Sequence, residues 1–169
     1  MRKSLLLAIA AGSVLLTALA MAPIAAGDGG NEFKASLNGY NEVTSISTPA
    51  RGSFRARLND AGTTLRYKLT LRGFSEPVLF AHIHFAQPHT NGGVIAFLCG
   101  GGSKPAACPT DGVVEGTIVA ADVIGPGRGI DAGEFRELIR AMRNGATYAN
   151  AHTNTYQPGE IRGQIHLDD

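Results

Sequence analysis

The chain has 169 residues, of which 44% are hydrophobic and 17% are charged, and its formal net charge is +1. This length and composition predict one compact domain and exclude a disordered tail protein or a long coiled coil. The small net charge also excludes a nucleic-acid-binding protein that relies on a large basic field, so we expect no nucleic-acid partner.

The first 26 residues differ in composition from the rest of the chain. Arg2 and Lys3 precede a long uncharged, mainly apolar run that contains Pro23 and several alanines. A basic start, an apolar middle and small residues at the cut are typical of a secretory signal peptide. We therefore predict that residues 1–26 form a signal peptide that is removed by cleavage after Ala26.

Two alternatives to this cleavage remain open from the sequence. Cleavage could follow Ala20, or the 18 residues from Leu5 to Ala22 could remain as a membrane anchor, since they reach the short end of a membrane span. With cleavage after Ala26, residues 27–169 form the mature domain, which is secreted or periplasmic and is not stably inserted in a membrane. Its 13 Lys and Arg against 14 Asp and Glu predict that charge does not direct it to its partner.

Cys99 and Cys108 are the two cysteines of the chain. An even pair in an oxidising compartment usually forms a disulfide, and the Gly- and Pro-rich segment 100–107 is able to fold back between them. We expect a disulfide that staples a long loop. Two free thiols and a metal-binding pair are the alternatives.

Apolar and polar residues alternate along much of the mature chain, which predicts half-buried β-strands. The turn-forming residues 59–62 join two of these strands in a hairpin. The predicted strands are residues 32–38, 53–58, 65–71, 78–85, 93–98, 113–119, 146–152 and 160–167.

One segment follows a helical period instead. Its apolar residues are Phe135, Leu138, Ile139 and Met142. Asp131 and Glu134 resemble a capping box, and Asn144 with the following glycine supplies a stop signal. Eight strands and one inserted amphipathic helix predict an all-β fold, either a Greek-key β-sandwich or a barrel-like domain.

Histidines are the residues best suited to chemistry. His82 and His84 lie two positions apart on one strand, so their side chains share a face and can ligate one metal ion. His152, on a later predicted strand, is a candidate third ligand, and His89, in a loop, is a fourth. The alternatives are a hydrogen-bonded polar patch without metal, or solvated side chains. We expect His166 to lie at the surface.

Glu160 and Arg162 flank Ile161 and therefore share a strand face. This spacing predicts a cross-strand ion pair, with an arginine that attracts an anionic ligand beside a metal as the alternative. No serine lies in a G-x-S-x-G elbow, and no P-loop or dinucleotide fingerprint is present. No catalytic residue is predicted, and a non-enzymatic role is favoured.

Four sequence blocks carry a family resemblance. They are Leu37–Val43, Ala81–His84 with Asn91–Val94, Tyr148–Thr153 and Pro158–Ile165. In this order they resemble the CHRD domain, which is named after chordin and also occurs in many exported bacterial proteins. The resemblance covers about Glu32 to Leu167. It implies an extracytoplasmic binding or interaction module whose ligand or protein partner is unknown. Within its blocks, Asn150, Glu160 and Arg162 are polar residues that a purely structural strand would not require.

A weaker similarity is to copper-zinc superoxide dismutase. It rests on an H-x-H strand, a later histidine, an arginine and a loop disulfide, although bridging metal ligands are missing. It implies an alternative function as a copper- or zinc-binding protein, with oxidoreductase activity as a further alternative. The ligands would be His82, His84 and His152, with His89 or Asn150 nearby.

Overall fold

The structure is a computed structural model that describes residues 30–168, so the predicted signal peptide lies outside the described residues. The strands are β1 (Glu32–Asn38), β2 (Arg51–Leu58), β3 (Leu65–Arg72), β4 (Phe80–Phe85), β5 (Gly93–Cys99), β6 (Gly112–Ile118), β7 (Thr147–His152), β8 (Ile161–Gln164) and β9 (His166–Leu167). The α-helix, α1, is Phe135–Arg143. The all-β prediction with one inserted helix is confirmed.

All nine strands belong to one antiparallel sheet, in which the order is β5-β4-β7-β8-β1-β2-β3-β6 and β9 pairs with β1. The sheet curls into a nearly closed, barrel-like structure, so the barrel-like alternative describes the architecture. β7 and β8, which are late in the chain, lie between β4 and β1. This insertion brings residues from the middle and the end of the sequence side by side.

The hydrophobic core is lined by one face of this sheet. Alternate residues such as Phe33, Phe54 and Leu69 are at most 1% exposed, as the period-2 pattern requires. Helix α1 adds apolar side chains, including Leu138 and Met142, to the same core. Within residues 30–168, no helix has both the length and the hydrophobicity needed to cross a bilayer.

Two local predictions are corrected. The predicted strand 160–167 is divided at Ile165, whose N–H bonds to the carbonyl of Thr147. The predicted helix start is also wrong, because α1 begins at Phe135 with Glu134 as its N-cap residue. The Glu134 carboxylate does accept the backbone N–H of Asp131 at 2.8 Å, but this bond closes the turn before the helix.

The predicted disulfide between Cys99 and Cys108 is present. It links the end of β5 to the loop that leads into β6, and both cysteines are buried. The bridge therefore closes a short Gly- and Pro-rich loop at the edge of the core.

Reduction of this disulfide should lower the free energy of unfolding by about 2 to 3 kcal/mol, because the closed loop of about ten residues restricts the unfolded chain. Denaturant titrations with and without a reducing agent measure the effect. The Cys99→Ala, Cys108→Ala variant should match the reduced protein. An unchanged midpoint of unfolding on reduction would show that the bridge contributes nothing to stability.

Candidate functional site

Strand pairing brings three imidazoles together. β4 carries His82 and His84, and its register with β7 places Phe80 opposite His152 and His82 opposite Asn150. The ring centres of His82 and His152 are 4.5 Å apart, and those of His82 and His84 are 4.6 Å apart. One nitrogen from each ring lies within 4.8 Å of the others. The predicted set of three histidines is therefore assembled, and we call it the histidine triad.

The histidine triad lies on the side of the sheet that faces away from the hydrophobic core. Ala81 and Ile83, which alternate with the two histidines of β4, point into that core. The triad is nevertheless only 4 to 8% exposed. Segments 86–92 and 153–160 cover it, and each supplies a backbone carbonyl to one of the rings.

These carbonyls define the tautomers. The Nδ1–H of His84 donates to the carbonyl of Gly92 at 2.9 Å, and the Nδ1–H of His152 donates to the carbonyl of Gln157 at 2.7 Å. A neutral imidazole has one N–H, so both rings keep a bare Nε2. The Nδ1–H of His82 donates to Nε2 of His84 at 2.8 Å. Nε2 of His152 is buried and has no hydrogen-bond partner.

Burial keeps the three rings neutral. Desolvation is the main cause that lowers the pKa of His82 to about 2, and repulsion from the two neighbouring imidazoles adds to it. Desolvation also lowers the pKa of His84 to about 4, although the bond to Gly92 opposes the shift. The pKa of His152 is lowered by burial as well. Neutral imidazoles are the form that binds metal ions.

Aromatic side chains surround the histidine triad. The ring centre of Phe80 lies 5.2 Å from that of His82 and 4.8 Å from that of His152. The ring of Phe97 contacts the ring of His82 edge-on. Tyr148 stacks on His84, with the ring planes parallel to within 2° and the centres 4.6 Å apart. These contacts fix the ring orientations and exclude water from the space between them.

Arg162 supports this arrangement from β8. Its guanidinium carbon lies 3.4 Å from the centre of the Tyr148 ring. Tyr148 belongs to β7, which pairs directly with β8. The same group donates to the carbonyls of Gln87 and Thr90, at 3.2 and 2.7 Å. Arg162 therefore anchors the loop that ends at Gly92, and so holds the carbonyl that orients His84.

The predicted ion pair is wrong. Arg162 is 2% exposed, and its hydrogen bonds to Gln87 and Thr90 use backbone carbonyls, not a carboxylate. The carboxylate of Glu160 instead accepts hydroxyl bonds from Thr48 and Thr153, at 2.7 and 2.8 Å.

Other predicted residues take different places. Asn150 is buried and donates to Glu42 Oε1 at 2.7 Å and to the carbonyl of Ile161 at 2.8 Å. The expectation that His166 lies at the surface agrees with its exposed side chain. His89 is also exposed and lies outside the histidine triad, in a loop where its backbone is left-handed with φ of 59°.

Sequence reasoning missed the partners of the histidine triad. Tyr148 alternates with Asn150 and His152 on β7, so the period-2 pattern placed it on the same face. Glu42 carried no such signal. Burial raises its pKa, and its bond to Asn150 is formed between segments 108 residues apart.

Comparison with known families gives one result that covers most of the chain. A family model for the CHRD domain matches residues 33–165. The chain belongs to the CHRD domain family. This family indicates an extracellular binding or interaction module, and the Cys99–Cys108 disulfide fits the oxidising conditions outside the cytoplasm. A search of curated proteins finds no match. All three residues of the histidine triad lie within the matched part of the CHRD domain.

Acid should destabilise the metal-free CHRD domain from about pH 6.5 downwards. The unfolded imidazoles bind protons below their ordinary pKa, whereas the folded rings of His82 and His84 stay neutral down to about pH 2 and 4. Each ring should then remove about 1.4 kcal/mol of unfolding free energy per pH unit. Denaturant titrations between pH 7.5 and 5, with a chelator present, measure the slope.

The matched variants are His84→Gln and His166→Gln. The His84→Gln variant should reduce the slope by about 1.4 kcal/mol per pH unit, which is the contribution of one ring. The His166→Gln variant replaces an exposed histidine outside the triad and serves as the control. A stability that does not change between pH 6.5 and 5 would contradict the burial of neutral imidazoles.

Proposed function

We propose that this protein is an exported CHRD-domain binding module, and that the histidine triad is a binding site for copper or zinc. The observation that carries the metal proposal is Nε2 of His152, a buried acceptor without a partner. An unsatisfied buried polar atom costs about 1 to 3 kcal/mol, so its retention next to two other imidazole nitrogens points to a ligand.

Export is supported by three features. Arg2 and Lys3 precede the apolar run, and cleavage after Ala26 would release residues 27–169. The disulfide between Cys99 and Cys108 fits an oxidising compartment. CHRD domains are extracellular. Secretion or release into the periplasm follows from the same proposal.

The donor set fits a metal ion after a small adjustment. Nitrogens bound at about 2.0 to 2.1 Å to one ion are about 3.3 to 3.6 Å apart. His82 Nδ1 and His84 Nε2 are 2.8 Å apart, and one nitrogen from each of the three rings lies within 4.8 Å of the others. To reach this spacing, the His82–His84 pair must open by about half an ångström, and a pair at the 4.8 Å limit must close by about 1.2 Å. The proton on His82 Nδ1 must shift to Nε2 of the same ring so that Nδ1 can bind the ion, whereas the other two rings already present a bare Nε2.

Monovalent copper suits this site better than zinc. The triad offers three neutral donors, and Arg162 lies behind the ring that stacks on His84. The cost of burying an ion rises steeply with its charge, so a monovalent ion is easier to hold here than a divalent one. Imidazoles bind both metals, but structural zinc sites prefer four ligands. The low exposure of the triad favours binding over turnover of a substrate.

Metal analysis tests the proposal. Purified protein is loaded with copper(I) or zinc under anaerobic conditions, dialysed and analysed for bound metal. The wild type should retain one ion, with copper(I) displacing zinc. The His82→Ala, His84→Ala variant should lose binding by at least a hundredfold. The His89→Ala, His166→Ala variant removes two exposed imidazoles and should bind as the wild type does.

A folding control accompanies the analysis. Metal should raise the Tm of the wild type, because binding to the folded state stabilises it by mass action, and should leave the Tm of a folded His152→Gln variant unchanged. Equal metal content in the wild type and the triad variants would overturn the metal proposal.

A further inference from the structure

The overall charge of the domain conceals a strong segregation. Seven exposed cationic side chains lie on the outer face of the first three strands, where they alternate with core residues. They are Lys34, Arg51, Arg55, Arg57, Arg66, Lys68 and Arg72. We call this surface the cationic face.

The register of the sheet places like charges directly opposite one another. Three such pairs join β2 to β3: Arg51 with Arg72, Arg55 with Lys68, and Arg57 with Arg66. Like charges in opposite positions destabilise a sheet, whereas alternating signs would stabilise it. The cationic face is therefore not the arrangement that folding alone favours, which suggests that an anionic ligand compensates for the repulsion.

The acids near the cationic face do not balance it. Glu32 lies near Arg57, Glu115 pairs with Lys68, and Asp168 pairs with two of the cations. Seven cations thus face three acids, while the rest of the described chain has six cations and nine acids. Arg66 and Arg72 form no ion pair within residues 30–168. The near-zero net charge had predicted no role for charge in partner binding, and this segregation argues the opposite.

Hydroxyl groups separate the rows of cations. Ser36, Ser53 and Thr70 lie side by side across β1, β2 and β3. At the edge near β8, the surface deepens into a cleft of about 490 Å³, which is lined by Lys34, Arg55, Arg162 and several uncharged polar side chains. The cationic face therefore combines charge with hydroxyl groups and a recess large enough for a sugar unit.

We propose that the cationic face binds an acidic polysaccharide that carries carboxylate or sulfate groups. Cations would pair with its acidic groups and the serine and threonine hydroxyls with its sugar hydroxyls. The outward residues of β1 to β3 include no aromatic side chain on which nucleic-acid bases could stack. They also include no apolar side chain that could enter a membrane. This choice of partner rests on the proposed export, but not on the metal site.

Calorimetry with defined polymers tests this inference. The full protein is titrated with polygalacturonate and dextran sulfate, with dextran as the neutral control, at 50 and 300 mM NaCl. Binding to the acidic polymers should weaken strongly with salt. The Arg66→Gln, Arg72→Gln variant should bind about tenfold more weakly, with a shallower salt dependence. The Arg136→Gln, Arg140→Gln variant removes two exposed charges from α1 and should change affinity less than twofold.

Each other outcome contradicts the inference. If both arginine variants bound the acidic polymers equally weakly, the attraction would be nonspecific. If the protein bound neither acidic polymer, acidic polysaccharides would be excluded as its ligand. Tighter binding to a 20-base-pair DNA duplex or to vesicles with 30% phosphatidylglycerol would replace the polysaccharide with that partner. The His82→Ala, His84→Ala variant should still bind the polymers if folded, and the variants of the cationic face should retain metal. The two proposals therefore fail separately.

Discussion

The candidate site depends on the contacts that the buried guanidinium of Arg162 makes. Arg162 is 2% exposed, lies against the Tyr148 ring and donates to carbonyls of the loop that precedes Gly92. Desolvation lowers its pKa, and the neighbouring Tyr148 and Glu42 oppose that shift. One side chain thus holds both the ring that stacks on His84 and the loop that orients it. Without this contact, the loop that covers His84 would lose its anchor.

The hydrophobic core and the two candidate binding sites lie on opposite faces of the sheet. The inner face holds the apolar core, and the outer face carries both the histidine triad and the cationic face. Loops cover the histidine triad, so its imidazoles remain neutral and dry. The cationic face stays exposed, so its charges are available to a ligand. Both features follow from strand register, because a shift by one residue would exchange the inner and outer side chains.

The sequence predicted the parts of this structure that depend on local periodicity. Alternation located the strands, placed His82 and His84 on one face and put His152 on a later strand as a candidate third ligand. The role of Arg162 was not predictable, because its partners are loop carbonyls more than 70 residues away. The position of His89 in a loop did not indicate whether its side chain would lie near the other histidines. The cationic face was missed because net charge averages over the surface, whereas the opposition of Arg57 and Arg66 depends on register.

Nitrogen-detected NMR of the imidazoles during a copper(I) titration tests the central claim most directly, since copper(I) is diamagnetic. We predict saturation at one equivalent, with shifts at His82 Nδ1, His84 Nε2 and His152 Nε2. The Nδ1–H signals of His84 and His152 should persist, because these atoms remain bonded to Gly92 and Gln157. Shifts confined to His89 and His166, or none at the histidine triad, would contradict the assignment of this site as a metal centre.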